Sequence, residues 1–307
     1  MLKTDDNGTT WFITQPDHAR LAACIAAHWG NTVFGAVGSF GQDALDYDLR
    51  AEALFSIAEH DNGWTEWEAN PSITVASGFP MGLAEVLTDQ EAGIDRWRIG
   101  LTRFPDRNLA NLIISHHAYW LYAVRVLPQC DPAFIHPLFW KGIPEQLYPG
   151  KLDTPRAFMA KLQSLQSSCR QMLGEDKQSA RWLTQECLLP HIRLLQLCDG
   201  ISLALCSALI PAEGTETLGL GRDPFVLQEV PVNCWENRVD IKVTPLGNRH
   251  LGFEPYPFGT SPLSVSVPVR KVPTELSTTE PFHSWWTALS PELSTWTFVD
   301  INLPAKQ

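Results

Sequence analysis

The spacing of apolar residues changes once along this 307-residue chain, near residue 208. Before that point apolar side chains recur every three or four positions, as in amphipathic helices, and residues 14–17 and 62–63 are typical of a helix start and a helix stop. After residue 211 apolar and polar residues alternate, as in 263–269, which predicts strands. We therefore expect an all-α domain at residues 1–210 and a small β-rich subdomain at 211–307 packed on it.

Composition and charge exclude several classes of protein. With 44% hydrophobic residues the chain can bury a full-sized core, and 23 Lys and Arg against 34 Asp and Glu disfavour a nucleic-acid surface. No stretch reaches the roughly 20 apolar residues of a membrane span, and the N-terminus lacks a signal core. The seven cysteines are widely spaced, which indicates reduced thiols. We expect a soluble, cytoplasmic protein that acts on a small molecule, without nucleic acid or membrane partners and with no indicated oligomeric state.

Two predicted helices place a carboxylate on their apolar face. Leu54, Ile57 and Asp61 are spaced three and four residues apart, and Asp199 follows Leu195 in the same way. Because an unpaired buried carboxylate is costly, each of these aspartates needs a partner inside the protein.

Histidines lie on similar faces of two other predicted helices. His18 shares a face with Leu21 and Ile25, while His116 and His117 continue an apolar stripe. A single buried His or Asp is more often held by a backbone group or an arginine. Four helices that each turn such a residue inward favour a shared divalent cation, because it would offset the desolvation of imidazoles and carboxylates together.

Short motifs resemble those of two known families. Residues 56–63 (SIAEHDNG) resemble the helix-ending His-Asp signature of the HD-domain superfamily, and the order His, His-Asp, His, Asp is reproduced along the chain. Residues 13–18 (ITQPDH), 58–64 (AEHDNGW) and 255–258 (PYPF) more closely resemble a bacterial family, domain of unknown function 3891. The second resemblance would cover nearly the whole chain but implies no activity.

The HD resemblance implies a mainly α fold, an HD-like helical bundle with a small β-rich C-terminal appendage. It also implies a metal site for Mn, Fe, Mg or Zn, with one or two ions. The implied metal ligands are His18, His60, Asp61, Asp199 and His117, where His117 is preferred to His116 because its spacing from Ser115 looks like that of the second family.

The activity implied by the HD resemblance is phosphohydrolysis of a small anionic substrate. A bound cation would activate a water, Asp61 would ligate the metal and orient that water, and His117 would donate a proton or bind substrate. Arginines at such positions are more often surface or ion-pair residues, and a tryptophan is as often a packing residue. With that alternative open, the candidate substrate-binding residues are Trp64, Arg96, Arg98 and Arg193.

Two other functions fit the same sequence. Histidine and carboxylate ligands also suit an HD-fold di-iron oxygenase, and a non-catalytic, metal-stabilised binding protein would need the same ligands. The long loops at residues 71–80 and 129–149 are candidate pocket walls. The aromatic-rich segments around Trp64 and Phe139 suit a substrate with a ring or with an acyl chain equally.

Overall fold

A computed structural model describes residues 1–75, 77–88, 90–139, 152–210, 217–275 and 281–303. The α-helices in this described part are α1 (Gln15–Ala27), α2 (Tyr47–Ala58), α3 (Thr65–Ala69), α4 (Leu83–Thr88), α5 (Gln90–Gly100), α6 (Asn108–Val126), α7 (Asp153–Gly174), α8 (Lys177–Ala180), α9 (Gln185–Cys206) and α10 (Phe282–Trp286). The strands are β1 (Leu2–Asp6), β2 (Thr9–Ile13), β3 (Phe225–Pro231), β4 (Arg238–Gly247), β5 (His250–Glu254), β6 (Leu263–Pro273) and β7 (Glu292–Asp300).

The helix α9 forms the centre of the helical part. It packs against α1, α2 and α6 on the helical side and against β3 on the sheet side. By length and composition α9 is apolar enough to cross a membrane, but 94% of that apolar window is buried inside the protein. Such burial is that of a core helix and is consistent with a soluble protein.

The strands form a single seven-stranded sheet in the order β1-β2-β6-β7-β5-β4-β3. Neighbouring strands are antiparallel except β5 and β7, which are parallel. The N-terminal hairpin joins the sheet through β2, where Trp11 lies opposite Lys271 of β6. Strands from the two ends of the chain are therefore neighbours in the sheet.

The expected fold class, a mainly α HD-like bundle with a small β-rich appendage, is wrong. The chain is about 47% helical and 20% strand, and the strands form a curled mixed sheet. Part of the error lies at the N-terminus, where Asn7 and Gly8 turn a hairpin with φ of 50° and 77°. Asn-Gly is favoured in such turns because both positions need a left-handed backbone. The domain boundary expected at residue 211 falls in 211–216, outside the described residues, and stays a prediction.

An aromatic cluster joins the N-terminal hairpin to the rest of the fold. The ring of Phe12 in β2 lies 5.1 Å from that of Phe79, 5.8 Å from Phe282 and 5.8 Å from Trp286, between centroids. These separations are typical of favourable edge-to-face aromatic pairs. The hairpin is thus held to α10 by side-chain packing as well as to β6 by backbone pairing.

We predict that Phe12→Ala lowers the free energy of unfolding by about 3–5 kcal/mol, because it removes a buried ring from the centre of this cluster. Urea denaturation measures the change. Val226→Ala is the control, because Val226 lies in the same sheet with 39% of its surface exposed, and it should change stability by less than about 0.5 kcal/mol. Equal effects of the two substitutions would show that the aromatic cluster does not stabilise the fold.

Candidate metal centre

Five elements bring polar side chains to one buried point beside α9. His18 lies in the first turns of α1, and His60 and Asp61 directly follow the end of α2. His117 and Asp199 lie on α6 and α9, respectively. A sixth residue, His136, lies between two short 3-10 helices, Pro132–Phe134 and Pro137–Phe139.

Glycine at position 63 lets the chain after the His60-Asp61 pair pass close to α5. A Cβ atom there would lie 1.9 Å from the carbonyl oxygen of Arg96, so a larger residue would displace the turn. The close packing of this turn on α5 fixes Asp61 at the edge of the buried point. In the sequence, the need for glycine at position 63 was visible only as part of a helix-stop motif.

Asp199 is the carboxylate around which the histidines gather. Its Oδ2 accepts a hydrogen bond from His136 Nε2 at 2.9 Å and lies 3.5 Å from His117 Nε2. Its Oδ1 lies 3.6 Å from both His60 Nε2 and His18 Nδ1. Side chains from four separate parts of the chain therefore surround this one carboxylate.

Asp61 provides the second carboxylate. Its Oδ2 lies 2.9 Å from His18 Nε2 and 3.7 Å from His60 Nε2. Because Asp199 also lies 3.6 Å from His60 Nε2, the two carboxylates face the same imidazole nitrogen. The sequence-predicted ligands His18, His60, Asp61 and Asp199 are thus brought together.

Hydrogen bonds at the Nδ1 atoms of two imidazoles determine the role left to their Nε2 atoms. The Ser202 hydroxyl donates to the carbonyl of Asp199, so its oxygen accepts from His18 Nδ1–H at 2.8 Å. His60 Nδ1–H donates to the carbonyl of Ile57 at 2.8 Å. In neutral His60 the Nε2 atom therefore carries the lone pair that a metal ligand needs, whereas His18 Nε2 donates to Asp61 Oδ2 at 2.9 Å and a metal would have to replace that proton.

Three buried atoms of the side chains at the centre lack hydrogen-bond partners: His60 Nε2, Asp199 Oδ1 and His117 Nδ1. The first two face each other, and both are acceptors when the imidazole is neutral. His60 Nε2 and Asp199 Oδ1 lie 3.6 Å apart, close to the spacing of about 3.0–3.5 Å between ligand atoms that share one ion with bonds near 2.1 Å, whereas the 2.9 Å between His18 Nε2 and Asp61 Oδ2 is a hydrogen-bond distance. The group of His18, His60 and Asp199 could hold a metal ion.

Without a metal ion, the positive charge between the two carboxylates would have to come from a proton on an imidazole. Burial lowers the pKa of His60, but the charges of Asp61 and Asp199 raise it by more, to about 9. Burial raises the pKa of Asp199, but His60 and His136 hold it well below its ordinary value. In metal-free protein near neutral pH, His60 is therefore positively charged between two carboxylates.

His136 supports Asp199 and does not offer a ligand atom. The backbone N–H of Leu138 donates to His136 Nδ1 at 3.1 Å, so in the neutral ring Nε2 carries the proton that it donates to Asp199. His117, His136 and Asp199 lie close enough to form a second metal group by distance alone. Because His136 Nε2 carries a proton, it cannot bind a metal, and this second group therefore lacks one of its three ligands. Sequence reasoning missed this role because no spacing rule links residues 136 and 199.

A narrow cleft leads to the centre, with a cavity volume of about 70 Å³. Its walls include His117 and the predicted substrate-binding residue Trp64. His116 does not line this cleft, and its Nε2 lies 3.5 Å from the Arg170 guanidinium. The structure thus places His117, the preferred of the two histidines, beside the centre.

The three predicted substrate-binding arginines do not line the cleft. Arg96 lies over the Trp64 ring at 5.9 Å, and Arg98 forms an exposed ion pair with Asp95. Arg193 is fully buried and donates to the backbone carbonyls of Ile135 and Gln228, which ties α9 to a loop and to β3. Of the two loops expected as pocket walls, 129–149 contributes Leu138, whereas residues 76 and 140–149 lie outside the described part.

We predict that metal-free protein loses stability as pH rises from about 6.5 to 9. The pKa of His60 is raised on folding, so its contribution is complete below the unfolded value near 6.5 and is lost as pH rises through about 9. The loss should be roughly 3 kcal/mol, measured by urea unfolding with a chelator present. In Asp199→Asn, which keeps one of the two carboxylates, the loss should be smaller. An equal loss in both proteins would contradict the charge pairing.

Comparison with known proteins places the chain in a family. No match to the chain was found among curated proteins or among solved structures. A sequence model described as protein of unknown function (DUF3891) matches residues 1–274, which is most of the chain. The protein belongs to the DUF3891 family.

Proposed function

We propose that this protein is a metal-dependent hydrolase that acts on a small molecule. The observation that carries the proposal is a pair of buried atoms without hydrogen-bond partners, His60 Nε2 and Asp199 Oδ1, which face each other across 3.6 Å. With His18 and Asp61 they form a set of two imidazoles and two carboxylates. A divalent cation bound there would lower the pKa of a bound water toward neutrality and so supply a nucleophile.

The open side of the site favours a catalytic over a structural metal. Structural metal sites are closed by protein ligands, whereas catalytic sites keep a position open to substrate. Here Asp61 and His117 both line the cleft, and the Asp61 side chain is 12% exposed. This access supports hydrolysis over the non-catalytic binding protein that the sequence also allows.

The residues of the cleft would share the proton transfers. Asp61 can accept a hydrogen bond from an attacking water and so orient it toward the substrate. Burial holds the pKa of His117 well below its ordinary value, so this imidazole is neutral at the start of a cycle. His117 would therefore bind the substrate or take up a proton, and pass it to the leaving group afterwards.

The ligand set also bears on the identity and number of ions. Imidazole and carboxylate ligands suit Mn, Fe or Zn, whereas Mg prefers oxygen ligands and water. Because His136 carries a proton on the nitrogen that faces Asp199, we propose a single ion for the described residues. A single ion disfavours the di-iron oxygenase alternative.

Two further considerations support the proposal. The four proposed ligands together with His117 stand in the order His, His-Asp, His, Asp that resembles the HD-domain signature, although the fold is not the expected bundle. All seven cysteines are free, which suits a reducing compartment, and we propose a cytoplasmic location. The substrate would be anionic or polar at the group that contacts the metal.

We predict that Asp61→Ala abolishes metal-dependent turnover but leaves the fold largely intact, because the residue follows the end of α2 and contributes little packing. Elemental analysis of protein purified without added metal should show one ion per chain in wild type. Turnover would be measured on phosphatase, phosphodiesterase and esterase substrates with Mn, Fe or Mg. Asp95→Ala, which removes an exposed carboxylate outside the cleft, is the matched control. Identical rates of wild type and Asp61→Ala on every substrate would overturn the hydrolase proposal.

A second substitution tests the supporting role of His136. His136→Phe keeps a ring of similar shape but removes the donor to Asp199, so we expect the affinity for Mn to fall about 10–100-fold in calorimetric titration. His116→Phe is the control, because His116 does not line the cleft. If both variants bind Mn as wild type does, His136 does not position the ligand.

A further inference from the structure

We infer that the substrate is a short-chain acyl compound, an ester or amide whose acyl group has about two to four carbons. The inference rests on the proposed hydrolase function and names the substrate class of the same site. In the reaction the oxygen of water bonds to the acyl carbon and the bond to the leaving alcohol or amine breaks. One proton of the water passes to the leaving group, and the carboxylate product releases the other.

The cleft has one polar end and one apolar end. At the polar end lie the metal-ligand candidates and His117. The rest of the wall is largely apolar and is formed by α4, α5 and α6. The residues that define this apolar wall are Leu83, Val86, Leu87, Trp97, Leu121 and Tyr122. An apolar chain attached to the reacting group would therefore leave water on binding, which is favourable by about 0.8 kcal/mol for each CH₂.

The size of the cleft limits the length of that chain. An apolar cavity of about 150 Å³ accommodates benzene. The cleft here has a volume of about 70 Å³, roughly half as much. A chain of a few carbons fits within this space, whereas an aromatic ring or a nucleobase would extend beyond it. The cleft therefore favours the acyl chain over the ring, the two alternatives that the sequence left open.

The charges around the cleft favour an acyl group over a phosphate. Phosphate sites use several fixed cationic donors. Among the described residues that line the cleft, the cationic side chain is Arg125, which donates to the Leu87 carbonyl and lies 5.8 Å over the Tyr122 ring. With a divalent cation bound, the charges of Asp61 and Asp199 would balance that of the ion, which leaves little net positive charge at the polar end to attract a phosphate dianion.

Glycine at position 93 keeps the cleft open. Gly93 lies inside α5, where glycine is about 1 kcal/mol less favourable than alanine. A Cβ atom at this position would lie 2.9 Å from the Tyr122 hydroxyl and 3.6 Å from a Val86 methyl. Alanine would therefore narrow the apolar wall by one methyl group at a position where it favours the helix.

The test is calorimetric binding of product-like carboxylates to the Mn-loaded protein. Formate, acetate, propionate, butyrate, benzoate and inorganic phosphate are titrated separately. We expect affinity to rise about fourfold for each added CH₂ from acetate to butyrate, which corresponds to the burial of that group. Benzoate and phosphate should bind at least tenfold more weakly than butyrate.

Two glycine variants test whether the wall sets this preference. Gly93→Ala should weaken butyrate binding more than tenfold and leave acetate binding within about twofold. Gly174→Ala is the matched control, because a Cβ atom at this helical position would contact nothing within 4 Å. Leu87→Ala widens the same wall and should instead strengthen benzoate binding, which keeps the test decisive if circular dichroism shows that Gly93→Ala does not fold.

The outcomes separate the two proposals. A protein that binds no Mn would overturn the proposed function and this inference with it. A protein that binds Mn but takes all carboxylates equally, or prefers benzoate or phosphate, would overturn the short-chain acyl substrate alone. A preference for butyrate that Gly93→Ala and Gly174→Ala change equally would also overturn it, because the apolar wall would then not set the chain length.

Discussion

The burial of one carboxylate, that of Asp199, is the constraint on which the rest of the centre depends. Asp199 lies on α9, the most enclosed helix of the described chain, where an unpaired charge would cost several kcal/mol. Imidazoles from α1, α6, the end of α2 and the loop at residue 136 surround it. The relative placement of these four segments is therefore tied to a single charged group, and the apolar packing of α9 holds that group in place.

Much of the candidate centre was predictable because helical spacing is a local signal. Asp199 interrupts an apolar stripe, and an interrupted stripe implies a buried carboxylate whatever the tertiary fold. The same reasoning was wrong for Asp61, which lies beyond the end of α2 with a side chain that is 12% exposed, although it does reach the centre. His136 had no such signal, because it lies in a loop and its hydrogen bond to Asp199 spans 63 residues of sequence. The role of an arginine could not be predicted from its charge alone. Arg193 lies in the core and donates to backbone carbonyls, a use that its charge does not indicate.

The sheet was harder to predict than the site for a physical reason. Strand pairing between distant segments leaves no spacing pattern, and β2 is buried at four of its five positions, so it lacks the alternation that marks a half-buried strand. Only the turn at Asn7 and Gly8 carried a local signal for the hairpin. A short motif such as residues 56–63 specifies where ligands stand along the chain, and it leaves open what the helices pack against.

The order of strands in the sheet has a consequence for how the chain assembles. The strand β7 follows the other six in sequence but lies between β6 and β5 in the sheet. Until residues 292–300 leave the ribosome, β1, β2 and β6 on one side cannot join β5, β4 and β3 on the other. The helices that carry the histidines are synthesised before that point, so they must wait with an incomplete sheet beside them. Unpaired strand edges attract other chains, which makes this interval the one in which a nascent molecule most needs protection from its neighbours.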